Sequence, residues 1–338
     1  MKALVYTSPR RVELQDLPAP QATPQEVLVR VRASGVCGSD LDGFLGKSKK
    51  RIPPLVLGHE FSGEIVEVGA EVAGFRPGEA VTVYPLVTCG QCRYCQSDRH
   101  QICPNRKVYG LDFHGALAEY VCAPPRCLFR LSPGMSFVEG ALVEPLANAL
   151  HVLDRCPSVE GQTGLVYGAG PIGVVVFWAA KHFGARRLAL VDVNAQRLAK
   201  LKDWGADLVI HGSGQDVVKT VLEWTAGGGV DFAVDAVGHA ICRQNILKCL
   251  AAGGTAVWIG LGEDFCEIDG RAMVIRELEI KGSYAYGLKD FARAISLLAQ
   301  KTFPVQAFVS EAQLEQGQAV FEELASGHSP LLKAVFRI

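Results

Sequence analysis

Residues 165–183 read LVYGAGPIGVVVFWAAKHF: an apolar run, then three glycines in six residues, then a segment with helical spacing. Gly168, Gly170 and Gly173, with Pro171 and Ile172 between them, form the G-x-G-x-x-G turn that joins a strand to a helix in dinucleotide-binding units. Gly168 allows the tight turn, Gly170 lets the backbone approach a pyrophosphate, and Gly173 permits close packing of helix on strand. The helix that starts at Pro171 offers unpaired N–H groups and a positive dipole end to phosphates. RLALVDV follows at residues 187–193, placing Asp192 at the end of the next strand, about 20 residues beyond the turn. A carboxylate there accepts hydrogen bonds from ribose hydroxyls and repels a 2′-phosphate, which favours NAD over NADP. Arg197, in the following segment, is a second cofactor-binding candidate, and either Arg187 or Arg197 is available to a 2′-phosphate.

Outward from this turn the pattern repeats. NAQRLAKLKDW (194–204) reads as a helix ended by Gly205, DLVIH (207–211) as a strand, and Val217 to Trp224 as a helix. DFAVDAV (231–237), a helix near Cys242 to Leu250, TAVWIG (255–260) and LEIKGSY (278–284) continue the series. Strands that alternate with helices predict a parallel sheet with right-handed crossovers. Upstream, EVLVRVRASG (26–35), FSGEIVEVGAEV (61–72) and EAVTVYP (79–85) alternate apolar with polar residues and end in Gly or Pro, as antiparallel strands do. The chain is therefore α/β with two domains: a mainly β part over 1–147, a nucleotide-binding domain over 148–283, and a C-terminal segment, 284–338, with one helix (DFARAISLLAQ) and a last strand (LLKAVFRI).

The 338 residues hold 49% apolar and 20% charged side chains with a formal net charge of −1, so no overall field favours nucleic acid or an anionic membrane. The start, MKALVYTSPRRVEL, reads as a strand rather than a secretory leader, and the most apolar segment, Ile172 to Ala180, is too short to span a bilayer. Eleven cysteines in a chain of ordinary core composition argue against a secreted disulfide framework and for thiols kept reduced, hence cytoplasm. Cys89, Cys92, Cys95 and Cys103 follow the spacing C-x2-C-x2-C-x7-C, in a lobe of about residues 85–105. Four thiolates so close can enclose one tetrahedral zinc with no open position, which is a structural site. A second set is dispersed: Cys37 in GVCGSD, His59 and Glu60 in LGHEFSG, and Glu144 in VEPLANALH. Spacing alone does not bring these four together.

The motifs GVCGSD, LGHE, the four-cysteine lobe, EPL and GAGPIG, in this order, resemble the zinc-containing medium-chain dehydrogenase/reductase superfamily. The resemblance covers the whole chain and is strongest to the polyol branch: sorbitol, galactitol-phosphate and threonine dehydrogenases. It implies a GroES-like catalytic domain, completed by the C-terminal segment, around an inserted Rossmann domain. It also implies two zinc ions per subunit with NAD as cofactor. The catalytic ion would be held by Cys37 and His59, with Glu60 and Glu144 as further ligands, direct or through water. Ser39 matches the hydroxyl that engages the reacting oxygen, and Asp40 the residue that orients His59. The implied reaction is oxidation of a secondary alcohol on a small polar substrate, a polyol, polyol phosphate, cyclitol or amino sugar, by a homodimer or homotetramer.

Two departures qualify the resemblance. Many relatives carry a proton-relaying histidine five residues after the zinc cysteine; here Asp42 stands there. Sorbitol dehydrogenases commonly read Gly-Ser-Phe-Arg-Tyr where this chain has Gly282, Ser283, Tyr284, Ala285 and Tyr286, so the substrate-reaching arginine is missing. The basic run Lys47 to Arg51 is either a solvated loop or a reader of a substrate anion. A threonine-type dehydrogenase is the alternative activity, and a non-catalytic NAD-binding sensor the alternative class.

Overall fold

The computed structural model describes residues 1–338, which divide into two compact units, Met1–Ala147 with Tyr286–Ile338, and Asn148–Ala285.

The second unit is the doubly wound parallel sheet that the alternation predicts. Its six strands lie in the order Leu208–His211, Arg187–Asp192, Thr163–Tyr167, Val230–Asp235, Leu250–Trp258, Glu279–Gly282, and all pair in parallel. The chain thus starts at the centre, winds outward on one side, then returns and winds outward on the other. The reversal leaves a crevice at the carboxyl ends of Thr163–Tyr167 and Val230–Asp235, where such sheets bind nucleotides. Leu165, Ala189, Ile210, Ala233 and Ala256 are fully buried on these strands, under the helices Val217–Trp224 and Ala240–Cys249. The helices Pro171–His182 and Ala195–Asp203 are followed by Gly184 and Gly205 at φ +84° and +87°, the left-handed residues that stop a helix.

In the first unit the strand Val27–Gly35 is the hub. It pairs antiparallel with Glu60–Val68 along one edge. On the other edge it pairs with Tyr120–Ala123 near its start and with Lys333–Arg337 near its end. Its far end leads directly into the short helix Gly38–Phe44, and Glu60–Val68 begins at the residue paired with Gly35. Cys37 and His59-Glu60 are thus neighbours because two antiparallel strands share an end. The last strand, Lys333–Arg337, lies beside that same end, with Val335 opposite Gly35. Phe44, Phe321 and Phe336, all fully buried, pack with Leu4, Tyr6 and Val56 in the core below. The helix Phe137–Arg155 carries Glu144 and runs on into the second unit. No helix of the chain is long and apolar enough to cross a membrane.

Candidate active site

Ligand atoms of Cys37, His59 and Glu60 all lie within 4.8 Å of one another. His59 and Glu60 are buried and Cys37 is half-buried. The helix Gly38–Phe44 starts at Cys37, and Asp40 reaches back so that its Oδ2 accepts from the Cys37 N–H at 3.1 Å. Asp40 Oδ1 lies 3.4 Å from His59 Nδ1 and 3.7 Å from Arg51 Nη2. Burial pushes the Asp40 carboxyl up, but His59, Arg51 and the Cys37 N–H outweigh it and hold the group down at about 2. Burial likewise opposes a charge on His59, yet Asp40 and Cys37 more than offset it and raise the imidazole well above its usual range. The pocket is therefore built to stabilise positive charge beside Cys37 and His59. A divalent ion placed there would satisfy that demand in place of the proton.

The carboxylates of the set are each held by a protein donor. Glu60 Oε2 forms an ion pair with the Lys333 ammonium, which also donates to the Val36 carbonyl at 2.9 Å. Both side chains are buried. Gly35 makes room for them: a Cβ there would lie 2.2 Å from Glu60 Oε2 and 3.0 Å from Lys333 Cε. Glu144 Oε1 accepts from the Tyr286 hydroxyl at 2.8 Å, and the Tyr286 carbonyl in turn accepts from the Tyr84 hydroxyl at 2.9 Å. Burial, then the nearby Glu60 carboxylate, pushes the Glu144 carboxyl up to about 7. Glu60 also stands among the charges that keep Tyr286 protonated. Glu144 thus belongs to the same electrostatic neighbourhood, one hydrogen bond from Tyr286.

Sequence reasoning missed Lys333 and Tyr286 as site residues. Lys333 carried a signal, a lysine opening an otherwise apolar strand, KAVF. Tyr286, so distant in sequence from Glu144, carried one only through the resemblance, as the tyrosine that closes the stretch Gly282 to Tyr286. The basic run divides: Lys47, Lys49 and Lys50 are exposed, while Arg51 is buried and donates from Nη2 to Ser39 Oγ at 3.0 Å. Asp42 is exposed.

In the cysteine lobe the four sulfurs form a compact cage, with Cys89–Cys95 at 3.9 Å and Cys92–Cys95 and Cys89–Cys103 at 3.5 Å. A tetrahedron with zinc–sulfur bonds of about 2.3 Å has edges of about 3.8 Å, so the cage fits one ion. A disulfide, at about 2.0 Å, does not match these separations. Backbone N–H groups of Gln91 and Cys92 lower the Cys89 thiol to about 6, whereas burial pushes Cys95 up to about 11.

In the second unit Gly173 packs so tightly that a Cβ would lie 1.7 Å from the Gly168 carbonyl oxygen. Gly168 sits at φ +103°, whereas a Cβ on Gly170 would meet nothing within 4 Å, so backbone there is open to a ligand. Pro171 and Ile172 open the helix that follows. Asp192 Oδ2 accepts from the Ala169 N–H at 2.5 Å and Oδ1 from the Asn194 N–H at 2.7 Å, tying the acidic strand end to the glycine turn. Arg197, whose N–H is capped by Asn194, interacts electrostatically with Asp192. Arg187 differs from expectation. It begins its strand, at the end opposite Asp192, and its guanidinium stacks on Trp224 at 4.0 Å and donates to the Trp224 carbonyl. It is unavailable to a 2′-phosphate.

Comparison with known proteins agrees with this geometry. Residues 23–133 match the alcohol dehydrogenase GroES-like domain and residues 171–300 the zinc-binding dehydrogenase domain. The chain belongs to the zinc-containing medium-chain dehydrogenase/reductase superfamily. It is 34% identical to D-arabitol-phosphate dehydrogenase of Enterococcus avium, over 93% of this chain and 90% of that one. Sorbitol dehydrogenase of Bacillus subtilis is 31% identical, over 99% and 96%. Among solved structures, a putative zinc-binding dehydrogenase from Sinorhizobium meliloti 1021, bound to NADP, superposes with a TM-score of 0.92 at 30% identity, covering 100% of this chain and 99% of that one. The chain is a zinc-dependent alcohol/polyol dehydrogenase that acts on a small alcohol with a nicotinamide cofactor.

Proposed function

We propose that Cys37 and His59 hold the catalytic zinc, with Glu60 and Glu144 as exchangeable ligands, and that Cys89, Cys92, Cys95 and Cys103 hold a structural one. The observation that carries this reading is the convergence of Cys37, His59 and Glu60 beside Ser39, with the charge demand described above. Asp40 faces His59 Nδ1, which leaves Nε2 for the metal and fixes the ring. A zinc ion in this place supplies Lewis acidity that lowers the pKa of an alcohol, and an oxidised nicotinamide supplies the hydride acceptor. Ser39, half-exposed, would take the proton of the reacting hydroxyl while its own hydroxyl proton passes to solvent. Lys333 holds Glu60 in place through their ion pair, and Tyr286 holds Glu144 through the hydrogen bond to its Oε1.

Gly168, Gly170, Pro171, Ile172 and Gly173 bind the pyrophosphate, and Asp192 with Arg197 the adenosine ribose. The Asp192 carboxylate supports NAD over NADP, since it would repel a 2′-phosphate. The substrate is a small polyol-type secondary alcohol, as the relatives' names suggest. Leu261, Phe265, Val274 and Ile275, between 68% and 87% exposed near the edge strand Glu279–Gly282, support association into a homodimer or homotetramer. All eleven cysteines are unpaired, which supports a reducing compartment such as the cytoplasm. The test is NAD reduction followed across polyols, polyol phosphates, cyclitols, amino sugars and threonine, each with chelator and with NADP in parallel. A chelator-sensitive rate with NAD is expected. Turnover that survives removal of both metals, or NADP used as well as NAD, contradicts the respective assignment.

A further inference from the structure

Arg51 enters the site from the loop between Gly38–Phe44 and the strand Leu55–Val56, and it is only 9% exposed. Its Nη2 donates to Ser39 Oγ at 3.0 Å and lies 3.7 Å from Asp40 Oδ1. Its Nε has no hydrogen-bond partner within the protein, although it is buried. Nε and Nη2 are the two donors along one edge of the planar guanidinium. An unused donor, Nε–H, therefore stands next to the nitrogen that touches Ser39. A buried N–H without an acceptor is costly, and an acceptor oxygen arriving with the substrate removes that cost.

We propose that Arg51 is a specificity-determining residue whose Nε–H receives the hydroxyl oxygen next to the one engaged by Ser39, so that the substrate is a neutral vicinal diol. This rests on the dehydrogenase reading above. Charge selects a neutral group over a phosphate at this position. The Arg51 cation is already matched by the buried Asp40 carboxylate, and the exposed lysines of the same loop do not join it. Nearer the metal ligands, Lys333 is likewise matched by Glu60. Neither of these two buried cations is left uncompensated for a dianion. A diol instead gives its reacting hydroxyl to Ser39 and its neighbouring oxygen to Nε, using both donors of the edge in parallel.

The test compares butane-2,3-diol with butan-2-ol, which lack only that second oxygen between them, on the zinc-loaded enzyme with NAD. The wild type is expected to favour the diol in kcat/KM by about 10- to 100-fold, the range for a hydrogen bond from a charged donor. Arg51→Leu should shrink the preference by lowering the diol more than butan-2-ol, with zinc content close to wild type and a lower melting temperature because Asp40 loses its buried cation. Arg51→Lys, which keeps the charge for Asp40 but loses the Nε geometry, should lose most of the preference too and guards against a folding defect in the first variant. Equal loss with both alcohols would overturn the proposal, because Arg51 would then act only through Ser39 or Asp40. A wild type without preference, or one that favours glycerol 1-phosphate over glycerol, overturns it as well. Turnover of neither alcohol by protein with both zinc ions bound would bring down the dehydrogenase reading itself, and this inference with it.

Discussion

The strand Lys333–Arg337 carries two ion pairs of very different worth, and replacing each cation in turn separates them. Lys333 and Glu60 are 0% and 1% exposed, whereas Arg337 and Glu311 are 59% and 40% exposed. Lys333→Met leaves the Glu60 carboxylate buried without its cation and frees the Val36 carbonyl, and losing one partner of a buried pair costs about 3–5 kcal/mol. For a unit of this size that corresponds to a fall in melting temperature of roughly 6–20 °C. Arg337→Met removes a screened pair worth about 0–1 kcal/mol, so its shift should stay under roughly 4 °C. All four tryptophans, Trp178, Trp204, Trp224 and Trp258, lie in the nucleotide-binding unit, so the transition must be followed by far-ultraviolet circular dichroism rather than tryptophan fluorescence alone. Metal-free protein should show the full effect, and zinc should reduce it by giving Glu60 another counter-charge. Lys333→Met combined with Glu60→Gln should recover most of the loss, since no buried charge remains. If Lys333→Met melts within about 1 °C of wild type, the buried pair is not what holds this corner together.

Tyr286→Phe removes the donor to Glu144 and little volume; activity should fall about 10-fold in steady-state assays with the fold intact, and an unchanged rate would deny Tyr286 a positioning role. In metal-free protein, Cys89, with its thiol near 6, should be alkylated by iodoacetamide at pH 7 and progressively spared as the pH drops below 6, while Cys95 near 11 stays unreactive. Peptide mass spectrometry reads this, and zinc should protect both residues. Asp192→Ala frees the Ala169 and Asn194 N–H groups and removes the charge that opposes a 2′-phosphate, so KM for NAD should rise about 10-fold or more while NADP gains relative to it. An unaltered NAD to NADP ratio would remove Asp192 from cofactor selection.

What the sequence revealed follows from the range of the interactions involved. The glycine turn, the strand–helix alternation and the four-cysteine lobe are local patterns, each set by residues within a few positions of one another. The parallel sheet and the sulfur cage match them closely. Cys37, His59 and Glu60 meet only because Gly35 and Glu60 are paired across two antiparallel strands, a register that spacing does not encode, and there the resemblance to a family supplied the link. Tyr286 and Lys333 reach the site because the chain returns to its first unit after the nucleotide-binding unit, so neither could be placed from neighbouring residues. Arg51 was visible as part of a basic run, but that run reads as solvated, and only the fold of its loop turns one of its cations inward. Arg187 could have been set aside earlier. It opens its strand, and nucleotides bind at the other end of a parallel sheet.

The most direct test of two zinc sites with one catalytic is native mass spectrometry of wild type and Cys37→Ala, paired with NAD reduction on the best alcohol. Two zinc ions per chain are expected in the wild type, and one in the variant, which should keep its fold and NAD binding but lose turnover. A Cys37→Ala protein that retains both ions, or that still reduces NAD at the wild-type rate, would contradict the assignment of Cys37, His59 and Glu60 as the catalytic centre.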